Sequence, residues 1–419
     1  MINRNILKNL MAALSDTPVV LVTGARQTGK STLVKHIHEN AHPRKYITLD
    51  ILGILNAART DPEGFIRGLE GPVIIDEIQR VPELLLPIKV AVDTDRSPGR
   101  FILTGSANIL MLPKVSESLT GRMEILTLYP FAQSELKGSQ QSFPDRLYES
   151  NIFQAFMSIP LPPTPQELMQ NIIKGGYPEM QTRKTPSRQR AWFASYITTL
   201  VERDIKDFAN IENSAELTRL LSLLAAHSGG LSHYAELSRV LELPQTTLKR
   251  YATLLRAAHL VQVIPAWCKN LGKRVVRSPK LVLTDTGLIS YLQGLNLQRL
   301  ENDPILYGRL FECFVTLEIL KHCSWSESNA KCHHFRSSSG QEVDIVLEYP
   351  SGEIVGIEIK ARATVTANDF KWLKALQELT EKRFLRGVVL YTGDKIIPFG
   401  DNLLAIPVHL LWENLDNSR

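Results

Sequence analysis

The segment that most constrains this chain is Gly24-Ala-Arg-Gln-Thr-Gly-Lys-Ser31, which stands between an apolar run and a helical pattern. The apolar run Val19–Val22 predicts a buried strand, and residues 31–38 have the spacing of a helix. Glycines near both ends of the loop allow several backbone N–H groups to converge at a helix N-terminus, where they can surround phosphate oxygens. The segment therefore predicts a Walker A phosphate-binding loop within a strand–loop–helix unit.

Two side chains of this loop have specific expected roles. Lys30 is expected to reach the β- and γ-phosphates of ATP, and the hydroxyl group of Ser31 is expected to ligate Mg²⁺. A chance glycine loop is the alternative, but the strand before it and the helix after it argue against chance. The residues expected to bind the nucleotide are Gly24, Ala25, Arg26, Gln27, Thr28, Gly29, Lys30, Ser31 and Thr32.

A second apolar run, Val73–Ile75, ends in the acidic pair Asp76 and Glu77. A carboxylate at the C-terminal edge of a parallel sheet can hold Mg²⁺, so Asp76 is predicted to share the metal with Ser31. Glu77 is predicted to be the base that activates the attacking water. An Asp-Glu pair alone is a common solvated strand end, and its weight comes from the Walker A loop upstream.

The next apolar run, Phe101–Leu103, ends in hydroxyl groups. Ser106 is predicted to orient the attacking water beside Glu77, and Thr104 and Asn108 are the alternatives.

Arg122 follows a glycine just before the fifth apolar run. An arginine at this edge can project toward the γ-phosphate held by a neighbouring subunit, which predicts a homo-oligomer such as a ring. The alternative is a surface arginine with a solvated head group.

Between residues 18 and 136, five apolar runs alternate with helical stretches. Strands that are apolar on both faces and separated by helices indicate an α/β fold with a parallel sheet covered on both sides. At 419 residues, the chain is expected to form more than one domain. The boundaries predicted from composition are 1–136 for the P-loop domain, 137–212 for a linker and helical lid, 213–300 for a helix-turn-helix module, and 301–419 for a smaller α/β domain.

Composition excludes some classes of protein. No apolar run approaches the roughly 20 residues that cross a bilayer, so no membrane span is expected. The first apolar residues have helical spacing and not the pattern of a cleavable signal, and the four cysteines form no C-x-x-C pair, so a cytoplasmic protein is expected. A net charge of +5 permits nucleic-acid binding without requiring it.

The middle region has the pattern of a winged helix-turn-helix. Two amphipathic helices, residues 234–241 and 245–260, flank a short turn and precede an apolar alternation with a basic hairpin. The second helix would contact DNA, and the hairpin would add phosphate contacts. The predicted DNA contacts are Gln245, Thr246, Lys249 and Arg250 on the helix and Lys273, Arg274 and Arg277, with Lys269 and Lys280, on the hairpin. The alternative is a protein-packing module whose charges are merely solvated.

The C-terminal region places Asp344 on one predicted strand and Glu358 and Lys360 on the same face of the next. With a carboxylate from the preceding helix, Glu312 or Glu318, this set could hold Mg²⁺ while Lys360 stabilises an attacking water or a phosphate. The arrangement resembles the PD-(D/E)xK nuclease core. The alternative is an inherited fold with an inactive or binding-only site.

Several motifs together resemble the AAA-superfamily ATPases that carry a DUF4143-type C-terminal region. They are Gly24 to Thr32, Ile74-Ile-Asp-Glu-Ile-Gln79, Leu103-Thr-Gly-Ser106, Gly175-Gly-Tyr-Pro178, Thr284-Asp-Thr-Gly-Leu288 and Gly340-Gln-Glu-Val-Asp344. The resemblance implies an AAA+ core with strand order 5-1-4-3-2 and a helical lid. Arg190 and Arg203 are the candidates for a sensor arginine in that lid.

These patterns predict an oligomeric AAA+ ATPase that hydrolyses ATP with Mg²⁺ and acts on DNA, with the winged helix gripping DNA and the nuclease-like domain binding or cutting it. One alternative is a STAND-like signalling switch that responds to nucleotide. The other is a DNA-binding regulator without nuclease activity.

Overall fold

The protein is described by a computed structural model that covers residues 2–40, 44–106, 119–149, 152, 161–201, 214–230, 234–270, 274, 278–337 and 339–413. The chain divides into two compact units. The first comprises Asn3–Pro130 together with Thr253–Leu260, and the second comprises Met1–Ile2, Phe131–Ala252 and Val261–Arg419. The further division of the second unit into lid, winged helix and nuclease-like domain stays a prediction.

The first unit is built on a sheet of five parallel strands. The strands are β1 (Val19–Thr23), β2 (Lys45–Thr48), β3 (Val73–Asp76), β4 (Phe101–Gly105) and β5 (Met123–Thr127). Their spatial order is β2-β3-β4-β1-β5, which is the order 5-1-4-3-2 read from the other edge. The predicted α/β class and the strand order are therefore confirmed.

Strand β1, which lies between β4 and β5, shows why the strands are continuous apolar runs in the sequence. Val19 and Leu21 belong to one hydrophobic core, whereas Val20 and Val22 belong to a second core. Because successive side chains of a strand point to opposite faces, both faces of this sheet are buried. The surrounding helices are α1 (Leu7–Asp16), α2 (Lys30–Asn40), α3 (Leu52–Thr60), α4 (Pro62–Arg67) and α5 (Leu85–Thr94).

Most described helices lie in the second unit. They are α6 (Gln133–Lys137), α7 (Phe143–Tyr148), α8 (Pro165–Lys174), α9 (Pro178–Thr182), α10 (Pro186–Thr199), α11 (Ser214–Ala226), α12 (Tyr234–Leu241), α13 (Gln245–Ala257), α14 (Thr286–Leu292), α15 (Leu297–Asn302), α16 (Pro304–Cys323) and α17 (Lys371–Thr380). The end of α13, from Thr253 onward, groups with the first unit. Among the described residues, no helix combines the length and apolar character needed to cross a membrane.

Two sheets complete the second unit. The first is an antiparallel pair, β6 (Val261–Ile264) and β7 (Lys280–Leu283), which follows α11–α13 in the order expected for a winged helix. The second sheet has the order β12-β13-β11-β10-β9-β8. Its strands are β8 (Lys331–Arg336), β9 (Glu342–Glu348), β10 (Ile354–Lys360), β11 (Phe384–Tyr391), β12 (Ile397–Pro398) and β13 (Leu403–Pro407). Leu373 and Leu376 of α17 belong to the core that covers one face of this sheet.

Helix α16 is buried and carries polar side chains that bind the starts of two other helices. Glu318 accepts a hydrogen bond from the backbone N–H of Gln133 at 2.7 Å, and Lys321 donates to Glu318 at 2.8 Å. The Nδ1 atom of His322 accepts from the backbone N–H of Phe143 at 3.1 Å. Because N–H groups at helix starts have no intrahelical partner, these side chains anchor α6 and α7 on α16.

Because His322 is buried, we predict that the free energy of unfolding is lower at acidic pH. Burial, with Arg146 and Lys321 nearby, lowers the pKa of His322 to about 3 from an ordinary value of 6.5. Below pH 6.5 the imidazole of His322 is protonated in the unfolded chain but remains neutral in the folded chain. The unfolded state is therefore increasingly favoured, and the stability that the neutral His322 contributes is lost, as the pH falls from 6.5 toward 3. We expect the free energy of unfolding, measured with urea at pH 7.5, 6.0 and 5.0, to decline across the series.

His322→Asn keeps an acceptor for the N–H group of Phe143 and removes the titrating group. It should give a flatter pH dependence than the wild type, whatever its stability at pH 7.5. Identical slopes for the two proteins would show that His322 is not a source of the acid sensitivity.

Candidate functional site

The Walker A loop requires glycine at its first position. Gly24 has φ +147°, and a Cβ atom placed there would lie 2.2 Å from the backbone oxygen of Leu128. Gly29 has φ +95° and directly precedes α2. No other residue adopts such a backbone without strain, so the glycines shape the loop that joins β1 to α2.

Lys30 lies inside this loop. Its Nζ atom donates to the backbone oxygens of Gly24 at 2.9 Å and Ala25 at 2.8 Å. Burial lowers the pKa of Lys30 to about 8, although the nearby carboxylates of Glu77 and Asp76 oppose the change. A bound phosphate would offer this desolvated ammonium group negatively charged acceptors in place of neutral carbonyl oxygens.

Asp76, at the end of β3, is held by three hydroxyl groups. Ser31 donates to its Oδ1 atom at 3.0 Å, Tyr46 donates to Oδ2 at 2.6 Å, and Thr104 also donates to Oδ1. Burial and the adjacent carboxylate raise the pKa of Tyr46, so its hydroxyl group remains a donor. The two predicted Mg²⁺ ligands, Ser31 and Asp76, are thus neighbours, and their hydroxyl and carboxylate oxygens are the donor types that Mg²⁺ prefers.

Gln79 connects the predicted base to the predicted water-orienting hydroxyl. Its Nε2 atom donates to the carboxylate of Glu77 and, at 2.9 Å, to the Oγ atom of Ser106. The backbone N–H of Ser106 donates to Oε1 of Gln79 at 3.3 Å. Glu77 itself has the left-handed φ of +62°, and its N–H donates to Thr104. Gln79 was not predicted as a site residue, although it ends one of the motifs quoted above.

The assignment of Ser106 as the group beside the attacking water, with Thr104 as an alternative, stays a prediction. Thr104 is already engaged by Asp76 and by the N–H group of Glu77. Asn108 lies outside the described residues. Of the remaining loop positions, Thr28 is buried, whereas Arg26, Gln27 and Thr32 are exposed; their contacts with nucleotide stay predictions.

Two further residues beside the loop come from distant parts of the sequence. Arg4 donates to the backbone oxygens of Thr28 at 3.0 Å and Tyr129 at 2.5 Å. The Nε2 atom of His259 lies 2.8 Å from the Oγ1 atom of Thr23, which ends β1. Burial and the charge of Lys30 lower the pKa of His259 to about 4, so the imidazole is neutral at pH 7. His259 is 236 residues from Thr23, and no spacing rule could associate them.

Three family models match successive parts of the chain. An AAA domain matches residues 16–137, a domain of unknown function (DUF8612) matches 165–299, and a domain of unknown function (DUF4143) matches 307–411. The uncharacterized proteins Rv2008c of Mycobacterium tuberculosis and Mb2031c of Mycobacterium bovis are each 32% identical over 406 residues, which cover 96% of this chain and 83% of the relative.

The chain belongs to the AAA-type ATPases that carry a DUF4143 C-terminal region. Among solved structures, the Walker-type ATPase PABY2304 of Pyrococcus abyssi is similar, with 14% identity and a TM-score of 0.44 over 70% of this chain and 96% of that one. Membership of this ATPase family supports nucleotide binding and hydrolysis at the loop described above.

Two kinds of arginine were expected to act on the nucleotide of this AAA-type ATPase: Arg122, toward a neighbouring subunit, and Arg190 or Arg203, in the lid. Arg122 donates through Nε to the carboxylate of Asp93, and this bond holds the pKa of Asp93 below its ordinary range. Contact of Arg122 with the γ-phosphate held by a neighbouring subunit would require this ion pair to open. That role of Arg122 stays a prediction. Arg190 lies on α10, and Arg203 lies outside the described residues.

The predicted DNA contacts fall into two groups. Gln245, Thr246, Lys249 and Arg250 are all exposed on the first turns of α13. Arg274 is used differently from the prediction, because its guanidinium group donates to both carboxylate oxygens of Glu348, at 2.5 and 2.9 Å, with only 13% of the side chain exposed. Lys273 and Arg277 lie outside the described residues.

The DUF4143 region brings together four of the five predicted nuclease-like residues. The backbone N–H of Ile359 donates to Asp344, and Lys360 donates to Glu358 at 2.9 Å. Burial raises the pKa values of Asp344, Glu358 and Glu312. Repulsion from Asp344 raises the pKa values of Glu358 and Glu312 further, and repulsion from Glu342 raises that of Asp344. The Oε1 atom of Glu358 is buried without a hydrogen-bond partner among the described residues. Such burial costs less free energy for a neutral, protonated carboxyl group than for a carboxylate.

Glu318, the predicted alternative to Glu312, is not part of this carboxylate cluster. Its carboxylate binds Lys321 and the N–H group of Gln133, and the charges that affect its pKa come from Lys321 and Glu135. The carboxylate from α16 that joins Asp344 and Glu358 is therefore Glu312, six residues earlier on the helix.

Lys280 of β7 adds a cation to this cluster that the sequence analysis assigned to the basic wing. Its ammonium group lies 3.0 Å from Glu312 and 2.9 Å from Glu342, and only 6% of the side chain is exposed. The described residues contain no group of three or more acidic, histidine or cysteine side chains arranged to hold a metal ion. Lys280 and Lys360 pair with three carboxylates of the cluster, and Mg²⁺ binding and DNA cleavage there stay predictions.

Gln79→Leu should retain ATP binding and slow hydrolysis. The leucine cannot hold Glu77 and Ser106 in one arrangement, and loss of such positioning costs about 10²-fold in rate. Steady-state hydrolysis and binding of a fluorescent ATP analogue measure the two effects. Gln298→Leu, at an exposed glutamine of α15, is the matched control; equal rates for the two variants would remove Gln79 from the site.

Lys280→Met should lower the free energy of unfolding by about 2 kcal/mol, because it leaves two partly buried carboxylates without their cation. Adding Glu312→Gln to this variant should recover part of the loss. Urea unfolding at pH 7.5 measures both, with Lys331→Met, at an exposed lysine of β8, as the control. A loss no larger than that of Lys331→Met would contradict the proposed pairing.

Proposed function

We propose that this protein is an oligomeric, Mg²⁺-dependent ATPase whose nucleotide turnover acts on DNA. The observation that carries the proposal is the course of helix α13. Its first turns expose Gln245, Thr246, Lys249 and Arg250, and the residues after its last turn bring His259 to Thr23 at the start of the Walker A loop. The exposed polar residues of α13 are therefore close in sequence to His259, which contacts the nucleotide site.

The chemistry of hydrolysis follows from the side chains at the ends of β3 and β4. Lys30 binds the β- and γ-phosphates, and Ser31 and Asp76 hold Mg²⁺, which neutralises phosphate charge when bound. Glu77 accepts the proton of the attacking water as the new bond to the γ-phosphorus forms and the bond to the β-phosphate oxygen breaks. Ser106 orients that water, and Gln79 fixes Ser106 relative to Glu77.

The DNA contacts follow from the exposed start of α13. Its opposite side is buried through Leu248, Tyr251 and Leu255, so the orientation of the helix is fixed by packing. Polar and cationic side chains on the outer face of such a helix suit a DNA groove and its phosphates. Since Arg274 and Lys280 are engaged by carboxylates, the helix carries more of the interaction than the hairpin does.

A nucleotide-dependent switch is the second candidate function. In the structure, Lys30 is satisfied by carbonyl groups of its own loop and Thr23 is bound by His259. Binding of ATP would replace the first set of contacts and, through Thr23, change the second. A protein of this kind hydrolyses ATP slowly and regardless of DNA.

The deciding measurement is ATP hydrolysis with Mg²⁺ in the absence of nucleic acid and with duplex, single-stranded or branched DNA. We expect one DNA form to stimulate hydrolysis. Lys30→Ala should abolish nucleotide binding, and Glu77→Gln should bind ATP while its rate of hydrolysis falls by about 10² to 10⁴-fold. Slow hydrolysis that no DNA changes would favour the switch.

Two variants at exposed positions test whether DNA stimulates hydrolysis through α13. Arg250→Glu should abolish DNA stimulation and leave hydrolysis without DNA unchanged, whereas Lys374→Glu, at an exposed lysine of α17, should change neither. Gel analysis of the same reactions detects any DNA cleavage, and a rate per subunit that rises with protein concentration would support the oligomer.

A further inference from the structure

A cavity of about 550 Å³ lies within the second unit, between α8, α10, α14 and the start of α15. Its volume is in the range of small-molecule binding sites, which is roughly 300 to 1,000 Å³. It shares no residue with the Walker A loop or with the carboxylate cluster around Glu358. A ligand here would therefore be additional to ATP.

The cavity carries an excess of positive charge. Lys174, Arg183, Lys184 and Arg190 line it. Arg183 pairs with Glu179 at 3.1 Å, and no carboxylate of the described residues pairs with the other three. Burial lowers the pKa of Lys174, with no carboxylate to oppose the change. Cations that converge on one cavity without counter-charges favour an anionic ligand with more than one negative charge.

The inner surface of the cavity combines an aromatic pair with an unsatisfied hydroxyl group. The rings of Phe193 and Tyr291 are stacked, with centroids 5.7 Å apart and planes at 25°. Ser290 is 2% exposed, and its Oγ atom has no hydrogen-bond partner among the described residues. The buried Oγ atom has almost no surface to offer a ligand, so the aromatic pair is the part of this surface against which a flat ring can pack.

We propose that this cavity binds a small phosphate-bearing molecule with a flat ring, of the nucleoside monophosphate class. The cations at Lys174, Lys184 and Arg190 bind the phosphate group, because lysine and arginine are the usual phosphate ligands in proteins. The ring lies against the aromatic pair. The proposal is independent of the function of the Walker A loop.

The test uses the full chain with Lys30→Ala, which removes nucleotide binding at the Walker A loop. Fluorescence anisotropy follows binding of N-methylanthraniloyl-labelled AMP and GMP. We expect saturable binding of at least one probe and a Kd about ten-fold higher, equivalent to one lost charge-assisted contact, in Lys174→Ala or Arg190→Ala. Lys374→Ala, outside the cavity, should leave the Kd unchanged.

Photolabelling of the wild-type protein with 8-azido-AMP locates the site without the Lys30→Ala substitution. Label on peptides containing residues 174–193 or 287–297 supports the proposal, and label confined to residues 24–32 overturns it. Competition by inorganic phosphate as strong as by AMP would overturn recognition of the ring. Binding of a single-stranded oligonucleotide without binding of either mononucleotide would assign the cationic rim to nucleic acid and reject the small-molecule site.

Discussion

The carboxylate of Asp76 organises the nucleotide site of this protein. It accepts hydrogen bonds from Ser31 on α2, from Tyr46 on β2 and from Thr104 on β4, so one buried charge fixes three neighbouring elements. Such a charge is tolerated only because all three partners are donors. Thr104 also accepts from the N–H group of Glu77, which extends the same network to the predicted base.

Buried ion pairs have a comparable role in the second unit. Lys321 with Glu318 and Arg274 with Glu348 are largely inaccessible to solvent, and the buried Lys280 pairs with the partly exposed Glu312. Removing one partner of such a pair leaves an uncompensated charge in a poorly solvated place, so these residues have a structural role. Arg274 and Lys280, which were predicted to contact DNA, are engaged in these pairs.

The proposals assign different ligands to separate parts of the chain. The nucleotide site has the hydroxyl oxygen of Ser31 and the carboxylate of Asp76, which suit a nucleotide with Mg²⁺. The cavity lined by Lys174 and Arg190 has cations and an aromatic pair, and no acidic residue lines it. The first site suits a triphosphate held through a metal ion, and the second suits a ligand whose phosphate is bound directly by side chains.

The sequence by itself determined the parallel sheet and the Walker A loop, because strand burial on two faces and glycine backbone freedom are local properties that leave a readable pattern. The α/β class, the strand order implied by the motifs and the membership of the ATPase family were all predictable in this way. Only the tertiary structure decided that Gln79 links Glu77 to Ser106, that His259 reaches Thr23, and that Glu312 rather than Glu318 joins Asp344. These choices depend on which distant side chains meet in space and lose water together. The spacing of residues in the sequence does not show which side chains lose their water on folding. A lysine or glutamate therefore has the same sequence pattern whether it is solvated, buried in an ion pair or part of a functional site.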